Sequence, residues 1–194
     1  MANPTLYIIA GCNGAGKTTA SMVVLPEMVD CHEFVNADEI AKGLSPFKPE
    51  EVAIEAGRIM LQRIGYLLKN KVTFAIETTL ATRSYRKLIA DAKKIGYSVV
   101  LIFFWLPSPE FAEKRVAQRV QSGGHNIPKD VIHRRYWAGL ENLFEIYSNI
   151  VDSWSLFENT EETKPIVVNS QIITPETLNK IKSYVRRRKR NLKQ

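Results

Sequence analysis

Gly11-Cys12-Asn13-Gly14-Ala15-Gly16-Lys17-Thr18 has the spacing Gly-x-x-x-x-Gly-Lys-[Ser/Thr], a pattern that dictates its own surroundings. It must follow a buried strand and open a helix. Leu6-Tyr7-Ile8-Ile9-Ala10 supplies the apolar strand, and a helix is predicted from about Lys17 to Met28. Glycines let the backbone curl until successive N–H groups converge on an anion, and the helix N-terminus adds partial positive charge. Gly11, Asn13, Gly14, Ala15, Gly16, Lys17, Thr18 and Thr19 are thus the expected nucleotide-binding residues. Lys17 reaches the β- and γ-phosphates, and the Thr18 hydroxyl ligates Mg²⁺. The chain is expected to bind a nucleoside triphosphate.

A length of 194 residues suits one domain with a substantial core. No apolar stretch approaches the roughly 20 residues of a membrane helix. Ile9-Ala10-Gly11-Cys12 echoes a lipoprotein cleavage site, but its apolar lead is short, no Lys or Arg precedes it, and cleavage would halve the phosphate loop. Two cysteines, Cys12 and Cys31, imply no disulfide framework and fit a reducing cytoplasm. Of the net charge of +7, six positive charges lie in the last nine residues, Arg186, Arg187, Arg188, Lys189, Arg190 and Lys193. The body, residues 1–185, is then nearly neutral, and 186–194 reads as a basic tail. A helix end whose cations suit the C-terminal dipole explains it first, and a nucleic-acid or partner contact second.

Further along, strands are predicted at 33–35, 72–76 and 97–106, with short ones near 154–157 and 166–168. Helices are predicted at 50–69, 84–95, 109–120 and 128–147, with a last one from Pro175. Strands alternating with helices predict an α/β fold of the P-loop NTPase kind. Its central sheet is mostly parallel, with helices on both faces and a small helical lid.

A phosphate loop serves many chemistries, so other residues must choose. Asn70-Lys71-Val72-Thr73 lacks the aspartate of a guanine-reading motif. Gln121-Ser122-Gly123-Gly124-His125 echoes a transporter signature, but no apolar strand ending in Asp-Glu follows it. A small-molecule kinase remains. Such an enzyme needs an acceptor-side base, cations for the moving phosphoryl group and a lid that excludes water. Asp38, just past the second strand, is the base candidate, although an Asp there can equally cap the next helix. Glu77, ending the third strand, can orient substrate or Mg²⁺-bound water, or make a structural hydrogen bond. Thr78 and Arg83 complete the acceptor-side set. No strand ends in an obvious aspartate for the metal.

Arg115 and Arg119 lie four apart beside the Gly123-Gly124 hinge, with Arg134 and Arg135 beyond it. Arg135 flanks the apolar stripe Val131, Ile132, Tyr136, Leu140, Leu143 and Tyr147, which makes it the better cleft residue; Arg134 points away. Arg135 is therefore placed with Lys17 and Asp38 in the catalytic set. Arg115 reads as a solvated surface charge, and His125 as an exposed lid residue.

The ordered set Gly11–Thr18, Phe34-Val35-Asn36-Ala37-Asp38, Glu77-Thr78-Thr79, Gly123-Gly124-His125 and Arg134-Arg135-Tyr136 resembles the zeta-toxin kinases, especially compact stand-alone members, over roughly residues 5 to 160. The resemblance implies a P-loop kinase that uses ATP and Mg²⁺ to phosphorylate a sugar hydroxyl of UDP-N-acetylglucosamine or a related metabolite. It also implies an antitoxin-like partner. By the same resemblance Lys17 and Thr18 hold phosphates and metal, Asp38 is the base, Glu77 lines the acceptor site and Arg135 clamps phosphate. No arginine lies between Arg135 and Arg186, so a second phosphate clamp falls to Arg119. Two rivals stand beside this reading. One is a kinase of nucleic-acid 5′-ends held by the basic tail; the other is an ATP-binding module kept inactive by a partner.

Overall fold

The structure, a computed structural model, describes residues 3–121, 123–124 and 126–191. Ser122, His125 and Lys193 lie outside the described residues. β1 (Thr5–Ala10) runs into the glycine loop and α1 (Lys17–Val29). Next come β2 (Phe34–Val35), α2 (Ala37–Leu44), a 3-10 turn at Pro49–Val52 and α3 (Ala53–Lys69). β3 (Phe74–Thr78), α4 (Tyr85–Lys94), β4 (Ser98–Trp105), α5 (Pro109–Gln121) and α6 (Lys129–Glu145) follow. After a 3-10 turn at Tyr147–Asn149, the chain ends with β5 (Ser153–Asn159), β6 (Thr163–Val168), β7 (Gln171–Ile172) and α7 (Pro175–Asn191).

The strands form one sheet in the order β2-β3-β1-β4-β5-β6-β7. β1 to β5 are parallel, and β6 and β7 join antiparallel. In β1 the consecutive residues Ile8, Ile9 and Ala10 are all buried. Successive strand residues point to opposite faces, so both faces of β1 are covered, as its continuous apolar run requires. β1 lies between β3 and β4. The order of connections reverses there, and a crevice opens at the C-terminal strand ends.

The third strand sits two residues later than its apolar run predicts. Lys71 takes a left-handed φ of 53°, and Val72 N–H closes the end of α3 onto the Leu67 carbonyl at 3.1 Å. That turn consumes Val72 and carries Glu77 into the strand, in register with Ile9 of β1. The predicted helix over 50–69 begins as the 3-10 turn after Pro49, and the helix over 128–147 stops at Glu145.

The basic C-terminal run continues α7 to Asn191. Its Leu178, Ile181 and Val185 are buried at helical spacing. Arg188 lies 4.8 Å from the Trp137 ring centroid and 3.2 Å from Glu141, and Lys189 pairs with Glu145. The helix is thus fixed to α6 through its basic end. Among the described residues no helix is long and apolar enough to cross a membrane.

Candidate active site

A cleft of about 1050 Å³ lies over the end of β1. Its floor is the glycine loop, from which Asn13, Gly14, Gly16, Lys17, Thr18 and Thr19 face it. Gly16 has φ 77° and precedes α1, and a Cβ there would stand 2.6 Å from Asn159 Nδ2. Only a residue without a side chain satisfies both demands. Gly11 and Ala15, placed in the nucleotide set by the motif, do not line the cleft. Ala15 is buried, and its carbonyl accepts from Asn159 Nδ2 at 2.7 Å.

Lys17 is only 6% exposed. Its Nζ donates to the Cys12 carbonyl at 3.1 Å and stands 3.4 Å from Glu77 Oε1. The other Glu77 oxygen accepts from Thr18 Oγ1 at 2.7 Å and from Asn36 Nδ2 at 2.9 Å. Glu77, the strand-end acid that the sequence offered for substrate, Mg²⁺-bound water or a structural hydrogen bond, thus makes its contacts with Lys17, Thr18 and Asn36 beside the glycine loop. By donating its proton to Glu77, Thr18 keeps its oxygen lone pairs for a cation. Among the described residues no group of three or more His, Cys, Asp or Glu side chains could enclose a metal.

Asp38 lines the same cleft from the first turn of α2. It does not cap that helix. The N-cap is Asn36, whose Oδ1 accepts from Asp38 N at 2.9 Å. Asn36 is 6% exposed, and through its two amide atoms it joins α2 to the Glu77 carboxylate. An Asn two residues before an Asp at a strand end was a legible cap signal.

Arg119 and Arg135 both line the cleft, and Arg135 Nη1 donates to Asn13 Oδ1 at 3.2 Å. The fold aims Arg135 by anchoring its neighbour: Tyr136 Oη donates to the Leu106 carbonyl at 2.8 Å and accepts from Trp105 Nε1 at 3.1 Å. Arg115 is not the solvated charge its sequence position suggests. It donates to the Asn159 carbonyl at 2.8 Å and also to the Thr160 carbonyl, fastening the β5–β6 turn to α5 at the cleft edge.

Thr78 and Arg83 do not reach the cleft. The Thr78 hydroxyl accepts from Leu80 N at 3.0 Å, where Leu80 has φ 59°, and this turn carries the chain away with Arg83 exposed. Burial pushes the Cys12 thiol up to about 12, against the opposing pull of Lys17, so the cysteine inside the loop is not a nucleophile at neutral pH.

Comparison with known proteins agrees with this geometry. The family model described as zeta toxin matches residues 1–170. An uncharacterized protein of Haemophilus influenzae is 29% identical over 136 residues, covering 70% of this chain and 94% of that one. Among solved structures, the AvrRxo1-ORF1:AvrRxo1-ORF2 complex with sulphate ions is similar with a TM-score of 0.76 at 20% identity, over 93% of this chain. The same complex with ATP gives a TM-score of 0.75 at 20% identity. This chain spans only 64% of the length of either match. A structure of the PezAT chromosomal toxin–antitoxin system of Streptococcus pneumoniae gives 0.66 at 19% identity, covering 84% of this chain and 71% of that one.

Proposed function

The chain belongs to the zeta-toxin family, and from that membership we propose that it is an ATP-dependent phosphotransferase acting on an alcohol hydroxyl of a small molecule. One observation carries the reading. Lys17, Thr18, Asp38, Glu77, Arg119 and Arg135, contributed by five separate segments, converge on a single cleft at the strand ends. A pure nucleotide switch needs no carboxylate on the acceptor side. Here Asp38 stands there with its helix capped by another residue, so its carboxylate is left for the acceptor hydroxyl's proton.

The loop and Lys17 bind the triphosphate, and Lys17 with the two arginines offsets charge on the transferring group. Cationic clamps of this kind contribute about 10³–10⁵-fold in phosphoryl transfer. Thr18 would hold Mg²⁺ with Glu77 beside it; when bound, the ion neutralises charge on the β- and γ-oxygens. Reduced thiols and an ATP supply are consistent with a cytoplasmic setting. The complexes among the structural relatives bring forward an antitoxin-like partner. A nucleotide-linked sugar of the UDP-N-acetylglucosamine kind is the acceptor that the family brings forward.

Transfer from γ-labelled ATP tests the proposal. Lys17→Ala should lose ATP turnover and transfer together. Asp38→Asn should keep ATP binding and lose transfer by about 10²–10⁴-fold. Full transfer by Asp38→Asn removes the base from the mechanism.

A further inference from the structure

The glycine loop touches both helices that lead into and out of the lid. At Gly14 it packs so closely on α5 that an added Cβ would stand 2.8 Å from the Ala112 carbonyl oxygen. At Asn13 it meets α6 through a side chain. Asn13 Oδ1 accepts from Arg135 Nη1 at 3.2 Å, between residues 122 apart in the chain. Asn13 is 5% exposed, so its surroundings hold its side chain, whereas Arg135 is half-buried and lines the cleft.

Two cations beside the loop are held in different ways. Lys17 stands against a carboxylate, Glu77. Among the described residues no carboxylate pairs with Arg135, and the group that meets it is a neutral amide. An amide oxygen directs a guanidinium without cancelling its charge, and one such bond engages only one of five N–H donors. A free arginine side chain has much rotamer freedom to lose on meeting a ligand, and one that is already held loses less. Resting on the kinase reading above, we infer that Asn13 is a positioning residue whose side chain sets Arg135 toward the terminal phosphate of the donor. The preference of the site for a triphosphate over a diphosphate then depends on Asn13, and it does so through Arg135.

A double-mutant cycle tests this inference without any acceptor. Calorimetry measures Kd for the β,γ-imido analogue of ATP and for ADP, each with Mg²⁺, in wild type, Asn13→Ala, Arg135→Ala and the double variant. The ratio of the two constants reports on the γ-phosphate alone. Arg135→Ala should lower the preference for the triphosphate about 10- to 100-fold, the loss of a charge-assisted contact. Asn13→Ala should lower it about 3- to 10-fold, the cost of ordering one long side chain, with ADP affinity kept. The double variant should fall within about twofold of Arg135→Ala, because Asn13 acts only through that residue. Losses that multiply in the double variant overturn the inference, since Asn13 then serves the nucleotide directly. Equal weakening of both nucleotides by Asn13→Ala overturns it too, as the mark of a loop that is merely damaged. Asn13→Asp, nearly the same size, covers failure of the alanine variant to fold. It ties Arg135 to a charge, so the preference should again fall at least about threefold, and an unchanged preference overturns the inference. Transfer from γ-labelled ATP is followed separately: its absence in the wild-type chain removes the kinase reading, while the binding cycle still decides the role of Asn13.

Discussion

Asn36 offers the sharpest test of how this site is assembled, because a single buried amide makes two separable bonds. Its Oδ1 caps α2 by accepting from Asp38 N, and its Nδ2 donates to Glu77, both at 2.9 Å. Losing an Asn cap costs about 1 kcal/mol. A hydrogen bond to a charged group contributes about 1.5–3 kcal/mol, and Glu77 keeps Thr18 and Lys17 as partners, which favours the low end. Asn36→Ala should therefore destabilise the fold by about 2.5–3 kcal/mol, a fall in Tm of roughly 5–10 °C for a domain of this size. Asn36→Ser keeps a capping oxygen but does not span to Glu77, so it should recover about 1 kcal/mol of that loss. Asn36→Asp also keeps the cap and sets a second carboxylate against Glu77. Its stability and its Mg²⁺-dependence of ATP binding should both shift, whereas Asn36→Ser alters mainly the first. Thermal unfolding with and without Mg²⁺, and titration of a fluorescent ATP analogue, separate the two bonds. If Asn36→Ala and Asn36→Ser unfold within a degree of wild type, neither bond holds α2 or Glu77 in place and the reasoning fails.

Other expectations follow from the same geometry. Cys12 keeps its proton in the fold to about 12 against an ordinary 9.0, so the stability it contributes is complete below pH 9 and lost as pH rises through that window. The loss should approach about 1.4 kcal/mol per pH unit, and Cys12→Ala should flatten urea midpoints measured between pH 8 and 11. Gly16→Ala meets a left-handed φ of 77° and a contact 2.6 Å from Asn159. It should destabilise by about 2–3 kcal/mol and weaken ATP binding, and unchanged ATP affinity would show that the loop tolerates a side chain. Arg188→Ala removes the guanidinium from Trp137 and Glu141, and should lower Tm by about 2–4 °C in calorimetry. No change would mean that the end of α7 is held by its buried Leu178, Ile181 and Val185 alone.

Much of this site could be read from the chain, and the part that could not has a common cause. The strand–loop–helix unit at the N-terminus is local. Glycine φ angles, an apolar run and the opening of a helix are set by neighbouring residues, so Lys17 and Thr18 announce themselves. Arg135 was legible because helical periodicity set it beside a buried stripe, and it does meet the loop at Asn13. Arg115 was misread because helical spacing cannot show that the β5–β6 turn passes over α5 to accept its guanidinium. Arg83 was misread because the Leu80 turn that carries it off depends on a backbone angle that leucine seldom adopts.

By itself, then, the sequence determined the triphosphate loop, most of the alternation of strands and helices and an acid past the second strand. Each depends on backbone preferences and periodicities that act over a few residues. Only the tertiary structure decided that Glu77 serves Thr18 across 59 residues and that Asn159 braces Ala15 across 144. Those pairings follow from the lateral order of strands in the sheet. That order sets β3 against one edge of β1 and β4 against the other, and brings the β5 end over the loop, because burying both faces of the central strands outweighs any local preference.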